Sequence, residues 1–172
     1  MAATLTMAST RTNVLASVLF TLFGGPALLL AYVPWLITHF RLPPNEPLAA
    51  ILVAAFLIAV GLFPLLESII RFVRVGRGSL VPLLPPQHLV VTGLYRYVRN
   101  PMYIGVLTVV AGEALLFWSS GLLIHFAIVW MCMHLFVCLY EEPKLSRTFP
   151  TEFPLYKRAV PRWLPRLTPW QG

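Results

Sequence analysis

Residues 47–72 read PLAAILVAAFLIAVGLFPLLESIIRF, and nothing in them is charged before Glu67. A helix needs about 20 apolar residues to cross the roughly 30 Å hydrocarbon core of a bilayer. This run meets that length, so the question becomes how many such helices the chain holds. Working outward from Pro47–Phe72, three more stretches fit the same description: Val14–Ile37, Met102–Trp118 and Gly121–Tyr140. The whole chain agrees, with 172 residues of which 58% are apolar and only 11% charged. A soluble domain carries about a quarter of its residues as charges, so the surplus apolar surface has to face lipid. The expected fold class is all-α, an integral membrane helical bundle of about four transmembrane helices. Collagen, coiled coil and a disordered tail are excluded.

Arginine placement sets the orientation. The segment between the second and third spans holds Arg71, Arg74, Arg77, Arg96 and Arg99 with no acid, and the tail holds Lys144, Arg147, Lys157, Arg158, Arg162 and Arg166. The other two connections offer only Arg41 with Glu46, and Ser119-Ser120. Positive loops stay on the cytoplasmic side, so four spans put both termini and the middle loop inside. Arg11 ahead of the first span raises a signal peptide as a rival, but the apolar run is too long and no clean small-residue cleavage site follows it. It reads as a helix, kinked at Gly24-Gly25-Pro26 and Pro34, because proline deletes a backbone donor and crowds the preceding turn. The basic excess, 13 Lys and Arg against 6 acids that are all glutamate, would suggest nucleic acid in a soluble protein. In a greasy chain it serves topology and anionic headgroups, so membrane lipid is an expected partner and nucleic acid is not. Cys132 and Cys138 point in different directions on one helix and cannot pair locally.

The middle loop, Arg74 to Pro101, is punctuated by Gly76, Gly78, Pro82, Pro85, Pro86 and Gly93 and is no long helix. Its apolar and aromatic content argues for a functional loop rather than a disordered one. The tail, Glu141 to Gly172, alternates prolines with Phe149, Phe153, Tyr156, Trp163 and Trp170. It reads as a short helix near Thr151–Val160, then an irregular strip at headgroup level where Trp and Arg anchor well.

Chemistry concentrates at the positive end. Glu141 and Glu142 close the fourth span; they either mark the water boundary or bind something. His134, on the same helical face as Glu141, reads as a hydrogen-bonded core histidine or a ligand. No motif such as H-E-x-x-H is present, so no metal is expected. The loop ends in the string HLVVTGLYRYVRNPMYIG, His88 to Gly105. Pro101 suits the first turn of the third span, and Arg99 beside free helix-start amides suits a carboxylate or phosphate; a basic interfacial hinge is the alternative. Two further pairs are expected. Glu113 and His125 come to similar depth in an antiparallel hairpin and should touch, while Glu67 and Arg71, spaced i and i+4, suggest an ordinary helix ion pair.

The His88–Gly105 string resembles the G-x-Y-x-x-x-R-[HN]-P-x-Y-x-G signature of the integral-membrane methyltransferases that include isoprenylcysteine carboxyl methyltransferase and phospholipid N-methyltransferases. The tail, Glu141-Glu142-Pro-Lys-Leu-Ser-Arg-Thr-Phe149 followed by Tyr156 and Val160-Pro161-Arg162, is similar to their E-E-x-x-L-x-x-x-F ending. The likeness runs from about His88 to Pro165. It differs at Asn100, where many members have His, at Leu94, where Pro is common, and at Pro150 and Phe153, where Gly and Tyr are usual.

The resemblance implies one membrane methyltransferase domain over 1–172, with 1–73 as lipid-facing helices and 74–172 as cofactor loop, hairpin and tail. It implies a cytoplasmic pocket for S-adenosylmethionine. Carried over, His88, Leu89, Val90, Gly93, Tyr95, Arg99, Asn100, Pro101, Tyr103 and Gly105 form one wall, and Glu141 and Glu142 another. The activity implied is methyl transfer to a lipophilic or lipidated acceptor, isoprenylcysteine carboxyl O-methylation or phospholipid amine N-methylation. A carboxylate acceptor needs no base; an amine sheds a proton, for which Glu142 or Tyr156 is the nearest aid. The rivals are an NADPH-dependent sterol-reductase-like enzyme and a non-catalytic membrane scaffold.

Overall fold

The computed structural model of the protein describes residues 25–44, 46–74 and 88–172, with side chains for all of these but 72–74. The start of the expected first span, residues 14–24, and the Gly/Pro-rich part of the middle loop, residues 75–87, lie outside the described residues. The regular structure of the described residues is helical, without a strand: α1 Gly25–Thr38, α2 Leu48–Arg74, α3 Pro101–Leu116, α4 Ser120–Thr148 and α5 Glu152–Ala159, with a 3-10 turn at Gly93–Arg96. Two of these, Leu48–Arg71 and Ser120–Thr148, are long and apolar enough to cross a membrane, and α1 and α3 are apolar but shorter. The architecture is a membrane helical bundle.

α3 is the hub. Its Val106, Leu107 and Val110 are buried with Leu65 of α2 and Val129 of α4, and Leu29 and Leu30 of α1 pack on the same cluster. α2 and α4 turn the other way and leave Leu52, Phe56, Phe63, Leu123, Ile128 and Leu139 exposed, as lipid-facing helices must. The α2–α3 contact is made by absence of side chains. A Cβ on Gly61 would lie 2.8 Å from the Gly105 carbonyl oxygen, and one on Gly105 would lie 2.7 Å from the Gly61 oxygen. Gly112 meets Ala54 and Ile58 in the same way. As the numbers rise along α3 they fall along α2, so the pair is antiparallel, joined by the close backbone approach that small residues permit in membranes.

Boundaries differ from the expected ones in instructive ways. α3 stops at Leu116 rather than Trp118, because Trp118 takes a left-handed conformation, φ 45°, to make the hairpin turn. Ser119 then caps α4, its hydroxyl accepting from the Leu122 amide at 3.3 Å. The fourth helix does not end at Tyr140 but runs on to Thr148. A π-turn at Val137–Glu141 precedes Pro143, which occupies the first turn of the continuing segment. A second π-turn, Leu28–Tyr32, precedes Pro34 in α1, so the irregularity expected there takes the form of a wide turn.

The expected Glu113–His125 contact does not form. His125 Nε2 lies 3.0 Å from the Leu29 carbonyl oxygen of α1, and Glu113 is buried with its Oε2 unpartnered. A third helix, invisible to a two-helix argument, took the histidine. Glu67 and Arg71 do pair, as expected.

Candidate functional site

The site is built where the basic loop meets the end of α4. Gly93 opens the 3-10 turn with φ +57°, and a Cβ there would collide with the side chains of Arg71 and Glu67. Only glycine fits, because the loop rests directly on that α2 ion pair. From this turn the chain passes through Arg96–Asn100 and enters α3 at Pro101.

The tail returns antiparallel over the same segment. The Trp170 amide donates to the Arg96 carbonyl (2.9 Å), Arg166 to Tyr97 (2.9 Å), and Arg99 to Pro161 (2.9 Å). Side chains reinforce it: Asn100 Nδ2 donates to the Arg162 carbonyl (3.1 Å), Arg96 Nε to that of Trp170 (2.6 Å), and Tyr156 OH to that of Tyr95 (2.7 Å). Beneath the strap Phe153, Tyr156 and Val160 bury together against Leu89 and Val91. Phe153 is 1% exposed, a place where a hydroxyl would need a partner. The tail also grips α4: Trp163 Nε1 donates to His134 Nδ1 at 3.1 Å, and the two rings stack. His134 is therefore a hydrogen-bonded histidine that anchors the tail.

The two adjacent glutamates have divided surroundings. Glu142, 5% exposed, takes Arg99 Nη1 and Arg162 Nε on Oε1, both at 2.6 Å, and Arg162 Nη2 (3.0 Å) and Lys157 Nζ (2.9 Å) on Oε2. Glu141 instead faces α3, where Tyr103 OH donates to its Oε1 at 3.0 Å. A helix step turns consecutive side chains by about 100°, so one glutamate addresses the loop and tail and the other the core of the bundle. The hydrogen bond to Glu142 raises the Arg162 guanidinium, whereas burial lowers that of Arg99. Burial also raises the phenols of Tyr95 and Tyr156 above the ordinary tyrosine range, so both remain protonated donors at neutral pH.

Of the residues singled out in the sequence, Arg99, Asn100, Tyr103, Glu141 and Glu142 converge, with Tyr95 alongside. Leu89 packs against the tail, Val90 is buried, and Pro101 starts α3 as its missing amide hydrogen allows. His88 is exposed at the edge. Gly105 serves the α2–α3 crossing. Neither candidate proton acceptor is free: both Glu142 oxygens are engaged by cations, and Tyr156 already donates its hydroxyl. Sequence reasoning missed Arg162 and Lys157 as partners of Glu142, and Ser68 of α2 as a neighbour of the loop. The i, i+4 charge pair on α2 was the available signal for the platform under Gly93.

Four buried side-chain atoms around this end have no partner: Glu67 Oε2, Ser68 Oγ, Thr92 Oγ1 and Arg99 Nε. Buried polar groups are nearly always satisfied, so these four atoms, on one loop and the helix below it, are exceptions gathered at one end of the bundle. No group of three His, Cys, Asp or Glu side chains able to hold a metal occurs among the described residues.

A bundle of apolar helices capped at one end by a polar loop and strap defines a membrane protein. A profile of the phospholipid methyltransferase family matches residues 49–152, and the chain belongs to that family of membrane methyltransferases, which use S-adenosylmethionine. The match runs from α2 through the loop, α3 and α4 to the start of α5. No curated protein and no solved structure matches the chain.

Proposed function

We propose that the protein moves a methyl group from S-adenosylmethionine to a lipophilic acceptor that enters the polar end of the bundle sideways from the bilayer. In this reading the chain is multi-pass, and both termini and the polar end are cytoplasmic, in line with the arginine distribution. The observation that carries it is the closure of the signature loop on the twin glutamates, Arg99 to Glu142 and Tyr103 to Glu141, across a whole helical hairpin. The orphaned atoms fit a ligand of this kind. Arg99 Nε would donate to a carboxylate, and Glu141 would accept from hydroxyl or ammonium donors. Tyrosine faces would accept a cation.

When bound, the cofactor supplies an electrophilic methyl group on a sulfonium. The chain's own part is to orient and to exclude water, which suffices to accelerate an in-line displacement. Glu142 holds Arg99 in place directly and takes no proton. Tyr156 ties the strap to the loop and takes none either. Isoprenylcysteine-like carboxyl methylation then needs no base at all. The second reading is N-methylation of a phospholipid amine, and Glu141, bonded to Tyr103, is then the carboxylate whose surroundings hold no cation partner among the described residues.

Calorimetry of the purified protein in detergent with S-adenosylhomocysteine tests the proposal: binding near micromolar, about −8 kcal/mol, is expected. No heat up to millimolar ligand with folded protein, or protection by NADPH instead, would overturn it. Labelled methyl transfer to a prenylcysteine or to phosphatidylethanolamine then separates the two acceptors.

A further inference from the structure

The α2 residues under the loop lie outside the signature string, yet three of the four orphaned atoms at this end are theirs or their neighbour's. Ser68 is 0% exposed. Its hydroxyl faces the Tyr95 phenol, and no other group satisfies it. Glu67 gives one oxygen to Arg71 and keeps the other, Oε2, buried and unpaired. Thr92, immediately before the Gly93 turn that sits on this ion pair, buries an unpaired Oγ1. The Tyr95 phenol joins these groups to the next: Glu67 and Glu141 both act on it electrostatically, and Glu141 is in turn bonded to Tyr103.

The chemistry of this set is one-sided. A carboxylate oxygen can only accept, and two hydroxyls can accept while donating elsewhere. Three acceptors around one turn, with a second carboxylate near by, match a group that carries three donors, no acceptor and a positive charge. We infer that Glu67, Ser68 and Thr92 form a subsite for an ammonium group, placing α2 in the ligand-binding machinery rather than only in the lipid-facing wall. In this subsite Arg71 is the positioning residue, since it fixes one Glu67 oxygen and so aims the other.

The inference rests on the proposed methyltransferase function, where an ammonium has two sources: the amino-acid end of the cofactor, or the headgroup amine of the acceptor. Three probes separate them: S-adenosylhomocysteine, its analogue lacking the α-amino group, and a phospholipid bearing a primary amine. Wild-type, Ser68→Ala and Glu67→Gln proteins are compared by calorimetry and steady-state kinetics, with thermal unfolding to confirm that each is folded. Ser68→Ala changes so little volume that it serves if Glu67→Gln does not fold.

If the cofactor's ammonium occupies the subsite, wild type prefers S-adenosylhomocysteine over the deaminated analogue by about tenfold or more, and the variants lose that preference. If the acceptor's ammonium occupies it, binding of both nucleosides is unchanged while KM for the amine lipid rises about tenfold with kcat retained. Variants that keep the wild-type preference and the wild-type KM overturn the inference, as does weaker nucleoside binding with the preference intact, which would mean a hydroxyl ligand. Wild-type protein that does not bind S-adenosylhomocysteine removes the methyltransferase function first, and the subsite with it.

Discussion

At the α2–α3 crossing Gly61 and Gly105 bring backbone against backbone with no side chain between them, while just before the start of α3 Arg99 reaches into a knot where three cations surround Glu142. The first contact works by exclusion. Close approach gains dispersion over a long seam, and any added atom is a clash. The second works by pairing, and its members are costly to bury singly. The two together explain how a short helix, α3, can be both the packing hub and the base of a polar site: its middle is fixed by α2, and its start is fixed by the tail.

The comparison breaks most sharply at Glu142. Replacing it by glutamine leaves the nearly buried Arg99 without its anion, and such a loss costs about 3–5 kcal/mol. Unfolding of Glu142→Gln in detergent should fall accordingly, and proteolysis should release the tail, because Arg162 and Lys157 lose the same anchor. Next comes Gly105→Ala. Its Cβ meets backbone atoms that cannot swing away, so about 1–3 kcal/mol is expected. Gly121→Ala is the control, since the nearest atom there is a methyl of the exposed Ile37 side chain rather than backbone; equal losses at the two glycines would mean the crossing is no tighter than the rest. Tyr156→Phe removes one buried hydrogen bond and leaves the Tyr95 carbonyl unpaired, for about 1 kcal/mol by thermal unfolding.

How far each region was legible in the sequence follows from the same contrast. The seam belongs to long apolar runs, and length alone exposes them. That Gly61 faces Gly105 was not legible, because a lone glycine in a helix looks the same whether it meets lipid or another backbone. At the polar end the loop string and the twin glutamates announced themselves by composition, and they do meet. Their division of labour did not show, since adjacent letters carry no sign of the π-turn that ends at Glu141 or of which neighbours each will face. Arg162 and Lys157 lay in the tail as two basic residues among six. Only the returning strap, held by backbone hydrogen bonds to residues 96–99, selects them. Glu113 failed for a related reason: a hairpin argument sees two helices, and His125 was claimed by a third.

The smallest effect is the most discriminating. Lys157 reaches Glu142 at 2.9 Å, but its side chain is 46% exposed against 10% for Arg99. An exposed ion pair is worth about 0–1 kcal/mol after water and side-chain entropy take their share, so Lys157→Ala should shift thermal unfolding slightly, and added salt should erase the difference. Arg162 is intermediate in exposure but makes two contacts with the carboxylate, and planar bidentate geometry compensates for solvent access. The expected order of destabilisation is therefore Arg99, then Arg162, then Lys157. If Lys157→Ala proved as damaging as Arg99→Ala, and indifferent to salt, the knot would act as one unit rather than a buried pair with a solvated rim. The contrast with the crossing would then vanish, since both regions would tolerate no change at any position.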